Sequence, residues 1–138
     1  MEFLYAIDNI LSNEECKKYV NLFNDPSKVE HINDKHRKYH RVQFQDKELA
    51  QQLYEKVKHY VPKKIMKLSV GMNSFIRLSK YEPGQFFGIH KDGINFDHEN
   101  KNNMSYATLN IFLNDDFEGG ETIFYENDKK TITLKCKP

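Results

Sequence analysis

Apolar positions recur three and four apart in the first half of the chain and alternate in the second. In SNEECKKYVNLF (12–23), Cys16, Tyr19, Val20 and Phe23 share one helical face, and Ser12 with Glu15 three positions on forms a capping box. The spacing predicts a helix over about 13–24, stopped at Asp25-Pro26 because a proline pushes the residue before it out of the helical region. A second helix is expected from Asp46 as N-cap to about Tyr60, with Leu49, Leu53, Val57 and Tyr60 on one stripe and Pro62 closing it. FLYAI (3–7) has a short strand pattern. Between these, the polar segment 28–40 with His31, His36 and His40 fits no helix face and reads as a solvated loop.

From residue 69 the period changes to two. NSFIRLSKY (73–81) alternates, Pro83-Gly84 is expected to turn the chain, and QFFGIH is expected to run back. MSYATLNIFL (104–113) reads as a strand with Leu109, Ile111 and Leu113 on one face and Thr108, Asn110 and Phe112 on the other. ETIFY (121–125) follows Gly119-Gly120, and TITLKC (131–136) alternates with Ile132, Leu134 and Cys136 together. DHENKNN (97–103) reads as a polar loop. Two helices followed by short antiparallel strands indicate a helix-backed β-sandwich or jelly roll.

A chain of 138 residues fits one domain with a real core. Its 21 basic and 20 acidic residues nearly cancel, which argues against a nucleic-acid or acidic-membrane surface. The basic side is almost all lysine, with arginine only at 37, 41 and 77. Cys16 and Cys136 lie far apart and show neither a disulfide framework nor zinc spacing. No apolar run approaches membrane length and no signal peptide is visible, so a cytoplasmic location is expected.

The chemistry concentrates in YEPGQFFGIHKDG (81–93). At a strand end, His90 and Asp92 are two apart and point the same way. One imidazole and one carboxylate, joined by a second histidine, make the facial triad that leaves adjacent positions open on a non-haem Fe(II). A His-x-Asp pair by itself is a weak signal, since such pairs are common by chance.

The pair has company. The ordered segments NSFIRLSKYEPGQFFGIHKDG, YATLNIFLND and FEGGETIFY resemble the prolyl 4-hydroxylase-like branch of the 2-oxoglutarate- and Fe(II)-dependent dioxygenases, and AIDNILSNEECKKYV and RVQFQDKELAQQL are similar to it as well. The resemblance implies a single α+β domain over 1–138: a double-stranded β-helix (jelly roll) backed by N-terminal helices, helical over about 1–66 and stranded over about 69–138, its C-terminal strands missing. It implies iron held by His90 and Asp92, and 2-oxoglutarate lined by Tyr81, Asn110 and Phe112, with ascorbate as a further cofactor. Arg77 matches a family arginine, and Gly119, Gly120 and Thr122 match a structural turn. The implied reaction hydroxylates a C–H bond of a prolyl-peptide or other protein substrate and decarboxylates 2-oxoglutarate to succinate.

Two departures qualify that expectation. Phe87 and Phe112 stand where relatives carry tyrosine, which puts proline as substrate in doubt. The family's second histidine and the basic residue that anchors 2-oxoglutarate are expected beyond Pro138. His98, the one histidine after His90, lies in a polar loop where the family places no ligand, and His59 reads as exposed on the second helix. The alternative is a non-catalytic relative that binds a protein partner, or its own copy, through an open sheet edge.

Overall fold

The computed structural model describes residues 4–62, 64–65, 68–97, 100–126 and 129–135. They fall into two units, Phe23–Asn110 and the paired segments Met1–Leu22 with Ile111–Pro138.

In the second of these, α1 spans Asn13–Val20. The capping box forms as expected: the Ser12 amide donates to Glu15 Oε2 at 2.7 Å and the Glu15 amide to Ser12 Oγ at 3.2 Å. Cys16 and Tyr19 are its buried residues. The helix tightens to a 3₁₀ turn at Asn21–Asn24, so the expected end near 24 holds but the last turn is not α-helical. The same unit holds a hairpin of β7 and β8, once the strands of the other unit are numbered in chain order; these two span Thr122–Glu126 and Lys129–Leu134 and pair antiparallel. Both match the alternating segments of the sequence, while Cys136 lies outside the described residues. Residues 4–7 form no strand, and the expected strand over 104–113 forms only an isolated bridge, Phe96 with Met104. Alternation marks faces, but a strand also needs a neighbour to take its backbone hydrogen bonds, and among the described residues no ladder runs beside 105–113.

The unit Phe23–Asn110 carries the main sheet. β1 (Glu30–Asn33) and β2 (Arg37–Gln45) form an antiparallel hairpin. This corrects the expectation of a loop over 28–40. The turn is tied by Asp34, whose Oδ1 accepts from the amides of His36 at 2.8 Å and Arg37 at 3.1 Å. Both strands are polar on their exposed positions, so the alternation that marks a strand is muted; Tyr39 and Val42, on opposite faces of β2, are the buried ones. α2 (Lys47–Val57) starts where expected, with Asp46 Oδ1 accepting from the Leu49 amide at 2.8 Å, and buries Leu49, Ala50, Leu53 and Val57. It ends three residues before Tyr60, which closes a final turn by donating its amide to the Val57 carbonyl. A short hairpin, β3 (Lys64–Ile65) with β4 (Leu68–Ser69), leads to β5 (Phe75–Lys80), which pairs antiparallel with β2.

The next strand, β6 (Phe86–Phe87), is a second correction. It does not run back along β5. It pairs antiparallel with Arg37 and Lys38 of β2, so it continues in the direction of β5. Lys80 aligns with His40 and Phe86 with Lys38, so six steps along one strand match two along the other, and the difference is looped out. Pro83-Gly84 forms the tip of that loop, with Gly84 at φ 80° and the Gln85 amide donating to the Glu82 carbonyl at 2.9 Å. The turn chemistry was legible; its purpose is an excursion, not a reversal. It delivers β6, and the His90 segment after it, to the end of β2.

Candidate metal centre

Gly88 fixes the segment that bears the pair. Its amide donates to the His36 carbonyl at 2.7 Å, and a Cβ at this position would meet that same oxygen at 3.0 Å. Only a residue without a side chain sits there easily. Two residues later the His90 ring returns over the backbone, and its Nδ1–H donates to the Gly88 carbonyl at 2.7 Å. A carbonyl only accepts, so Nδ1 carries a proton and Nε2 is the atom left to bind. The ring also stacks on Phe87, with centroids 3.7 Å apart and planes 12° from parallel.

Nε2 of His90 faces Asp92 Oδ1 at 3.4 Å. The second carboxylate oxygen, Oδ2, accepts from the Thr108 hydroxyl at 2.6 Å. The two side chains expected to act together are therefore brought together, and each is held by its far atom, the arrangement that orients metal ligands. Two donors with bonds of about 2.1 Å to one ion stand about 3.0 Å apart at a right angle and about 3.4 Å apart at the tetrahedral angle. The donor set fits an Fe(II) with an imidazole and a carboxylate as neighbours. The pair is open to solvent, with side chains 41% and 61% exposed. Among the described residues no group of three or more His, Cys, Asp and Glu side chains forms a complete cage. His98 lies outside the described residues.

Tyr81 is not in contact with the pair but is joined to it through rings. It stacks on Tyr39 at 5.2 Å between centroids, Tyr39 stacks on Phe87 at 5.9 Å, and Phe87 stacks on His90. Tyr81 is 46% exposed, and its partial burial, then the neighbouring Tyr39, pushes its phenol above its usual pKa. Asn110 is exposed, two residues beyond Thr108. Phe112 is half-buried and belongs to the other unit. Arg77 is on β5 with its guanidinium 5.5 Å from the centre of the Phe75 ring. Sequence reasoning missed Thr108, Gly88 and Tyr39. Thr108 sits in a segment whose alternation was read, but nothing in that pattern says which polar residue meets a distant carboxylate.

A stretch of 33 residues, 24% of the chain, is 58% identical to prolyl 3-hydroxylase 2 of Rattus norvegicus and to that of Homo sapiens. The same protein of Mus musculus is 54% identical over 33 residues. The similarity spans only 4–5% of those proteins' length. It is a local similarity to a prolyl hydroxylase. No family model matches the chain, and no solved structure matches it. Among the described residues no helix is long and apolar enough to cross a membrane.

Proposed function

We propose that this chain carries part of the active site of an Fe(II)- and 2-oxoglutarate-dependent hydroxylase, with its strands belonging to a jelly roll. The observation that carries the reading is the 3.4 Å approach of His90 Nε2 to Asp92 Oδ1, with Nδ1 and Oδ2 each tied elsewhere. His90 and Asp92 supply two ligands. When bound, the iron and 2-oxoglutarate supply the oxygen chemistry that hydroxylates a C–H bond. The chain's own part is geometric. Gly88 holds His90 in one tautomer, Phe87 supports the ring from one face, and Thr108 turns Asp92 so that Oδ1 faces the ion. Tyr81 brings a hydroxyl donor suited to a carboxylate such as that of 2-oxoglutarate.

A polypeptide substrate, prolyl or other, suits the surroundings. Phe86, Phe87, Ile89, Ile94 and Phe96 flank the pair along the chain and are all exposed, Ile89 by 78%. The test is 2-oxoglutarate titration by calorimetry without oxygen, with and without Fe(II). Weak binding that requires Fe(II) and disappears in His90→Ala is expected. Binding that is indifferent to both contradicts the proposal.

A further inference from the structure

The hairpin that replaced the expected loop places His31 and His40 directly opposite each other, in register across β1 and β2. Directly opposed residues on an antiparallel pair project to the same face. Their Nδ1 atoms stand 2.7 Å apart, and the rings meet edge to face at 4.7 Å. On its other nitrogen, His40 meets Glu82 Oε2 at 3.3 Å. The pair lines a cavity of about 170 Å³ whose remaining walls are Phe23, Pro26, Val29, Lys80 and Glu82.

We propose that His31 and His40 form a second cation site, separate from His90 and Asp92, for a divalent ion of the zinc, nickel and copper class. Imidazole pairs select such borderline ions over calcium or magnesium, which prefer oxygen. The backbone ladder sets the two residues opposite each other before the ion arrives. Glu82 is placed to give His40 the carboxylate partner typical of metal-bound histidine: in the state where Nε2–H donates to Glu82 Oε2, Nδ1 is the atom that binds the ion. The present 2.7 Å separation is that of a shared proton. An ion replaces that proton after a rotation of the exposed His31 that opens the gap by about 0.3–0.7 Å, to the roughly 3.0–3.4 Å two ligands of one ion require.

Two neighbours bear on the site. Lys80 adds a positive charge to the cavity wall, but its Nζ is paired with Glu82 Oε1 at 3.0 Å. Gln85 Oε1 accepts from the Glu82 amide at 2.9 Å, which leaves its NH₂ facing His40 Nε2 at 3.1 Å. An NH₂ only donates, so binding an ion through Nδ1 requires Nε2 to give up the Gln85 contact and carry the proton it donates to Glu82. Both Glu82 and Gln85 belong to the loop between β5 and β6. An ion on the histidines therefore clips β1 to β2 and, through Glu82, steadies the loop that leads to His90.

The experiment uses the full chain with His90→Ala and Asp92→Ala, so that the first site cannot contribute. Zn²⁺ is titrated in competition with a chromogenic chelator. One equivalent is expected to bind. Adding His31→Ala or His40→Gln should weaken that binding at least tenfold, and Glu82→Gln should weaken it by about tenfold or more. Zn²⁺ should also raise the melting temperature of the parent but not of the His31→Ala chain, because an ion that binds only the folded state stabilises it. His31 lies on an exposed edge strand, so its loss leaves the fold intact and its result stands even where His40→Gln unfolds. Absence of Zn²⁺ binding in the parent, or unchanged affinity in His31→Ala, overturns the site and leaves the pair a proton-sharing contact only.

Discussion

The Thr108 hydroxyl lies 2.6 Å from Asp92 Oδ2, joining a residue of the 105–110 segment to the carboxylate that faces His90. It occupies Oδ2 and leaves Oδ1 facing His90. Replacing Thr108 with Val removes the donor at nearly constant shape. Metal affinity should fall by about 10–100-fold, the usual cost of losing an outer partner of a ligand, while Thr108→Ser keeps the hydroxyl and stays near the parent. Calorimetric titration with Mn²⁺ checks both. Equal affinities in all three would mean that the contact plays no part in binding.

Gly88→Ala tests the backbone that aims His90. A Cβ there meets the His36 carbonyl oxygen at 3.0 Å, in the β1–β2 turn, the same atom that accepts the Gly88 amide. The chain must shift, and overpacking of this kind costs about 1–3 kcal/mol. The expected result is a lower urea midpoint together with weaker metal binding. Loss of metal binding without any change in stability would locate the effect at the ligand and not in the fold.

Ser12→Ala should destabilise the chain by about 0.5–2 kcal/mol, because it removes one half of the capping box on α1. Ser12→Asp, which still accepts from the Glu15 amide, should recover most of that. Chemical denaturation followed by far-UV circular dichroism reads both.

Acid should weaken the fold gently and in a salt-dependent way. Asp25, Glu30, Asp34, Glu55 and Glu82 all have carboxyl pKa values held below the usual range. The first causes are hydrogen bonds from Ser27, Arg41, the His36 amide, Lys58 and Lys80 respectively. A carboxylate with a lowered folded pKa contributes stability that is fully present above its unfolded pKa of about 3.9–4.3 and is lost as pH falls through the folded value. All five groups are on the surface, so the effect is screened. The melting temperature should be flat from pH 7 to about pH 5, fall below about pH 4, and fall less steeply at high salt. A decline already complete at pH 5 would point to a different titrating group.

What the sequence revealed follows from how local each feature is. Ser12, Glu15 and Asp46 act on backbone groups three residues away, and the helix starts were legible for that reason. Helix ends were less so, since Asn21–Asn24 and the residues after Val57 keep their turns but change hydrogen-bond pattern. The β1–β2 hairpin was hidden because its exposed positions are polar on both sides, and the direction of β6 was hidden because a Pro-Gly turn looks the same in a reversal and in an excursion. In the centre, the spacing of His90 and Asp92 suggested a shared strand face, but residues 88–95 are not a strand, and the pair meets with His90 tied to the Gly88 carbonyl and Asp92 to the Thr108 hydroxyl. Thr108, sixteen residues from Asp92, and His36, whose carbonyl requires the glycine at 88, are long-range partners that no spacing rule identifies.

The most direct measurement is anaerobic Fe(II) titration of the chain carrying His31→Ala, which breaks the histidine pair and leaves His90 and Asp92 as the site under test. One weak, saturable equivalent is expected, lost in both His90→Ala and Asp92→Ala on that background, with unchanged circular dichroism. Undiminished Fe(II) binding in the Asp92→Ala chain would show that the ion sits elsewhere and that the 3.4 Å approach of His90 to Asp92 is a surface contact without a metal role.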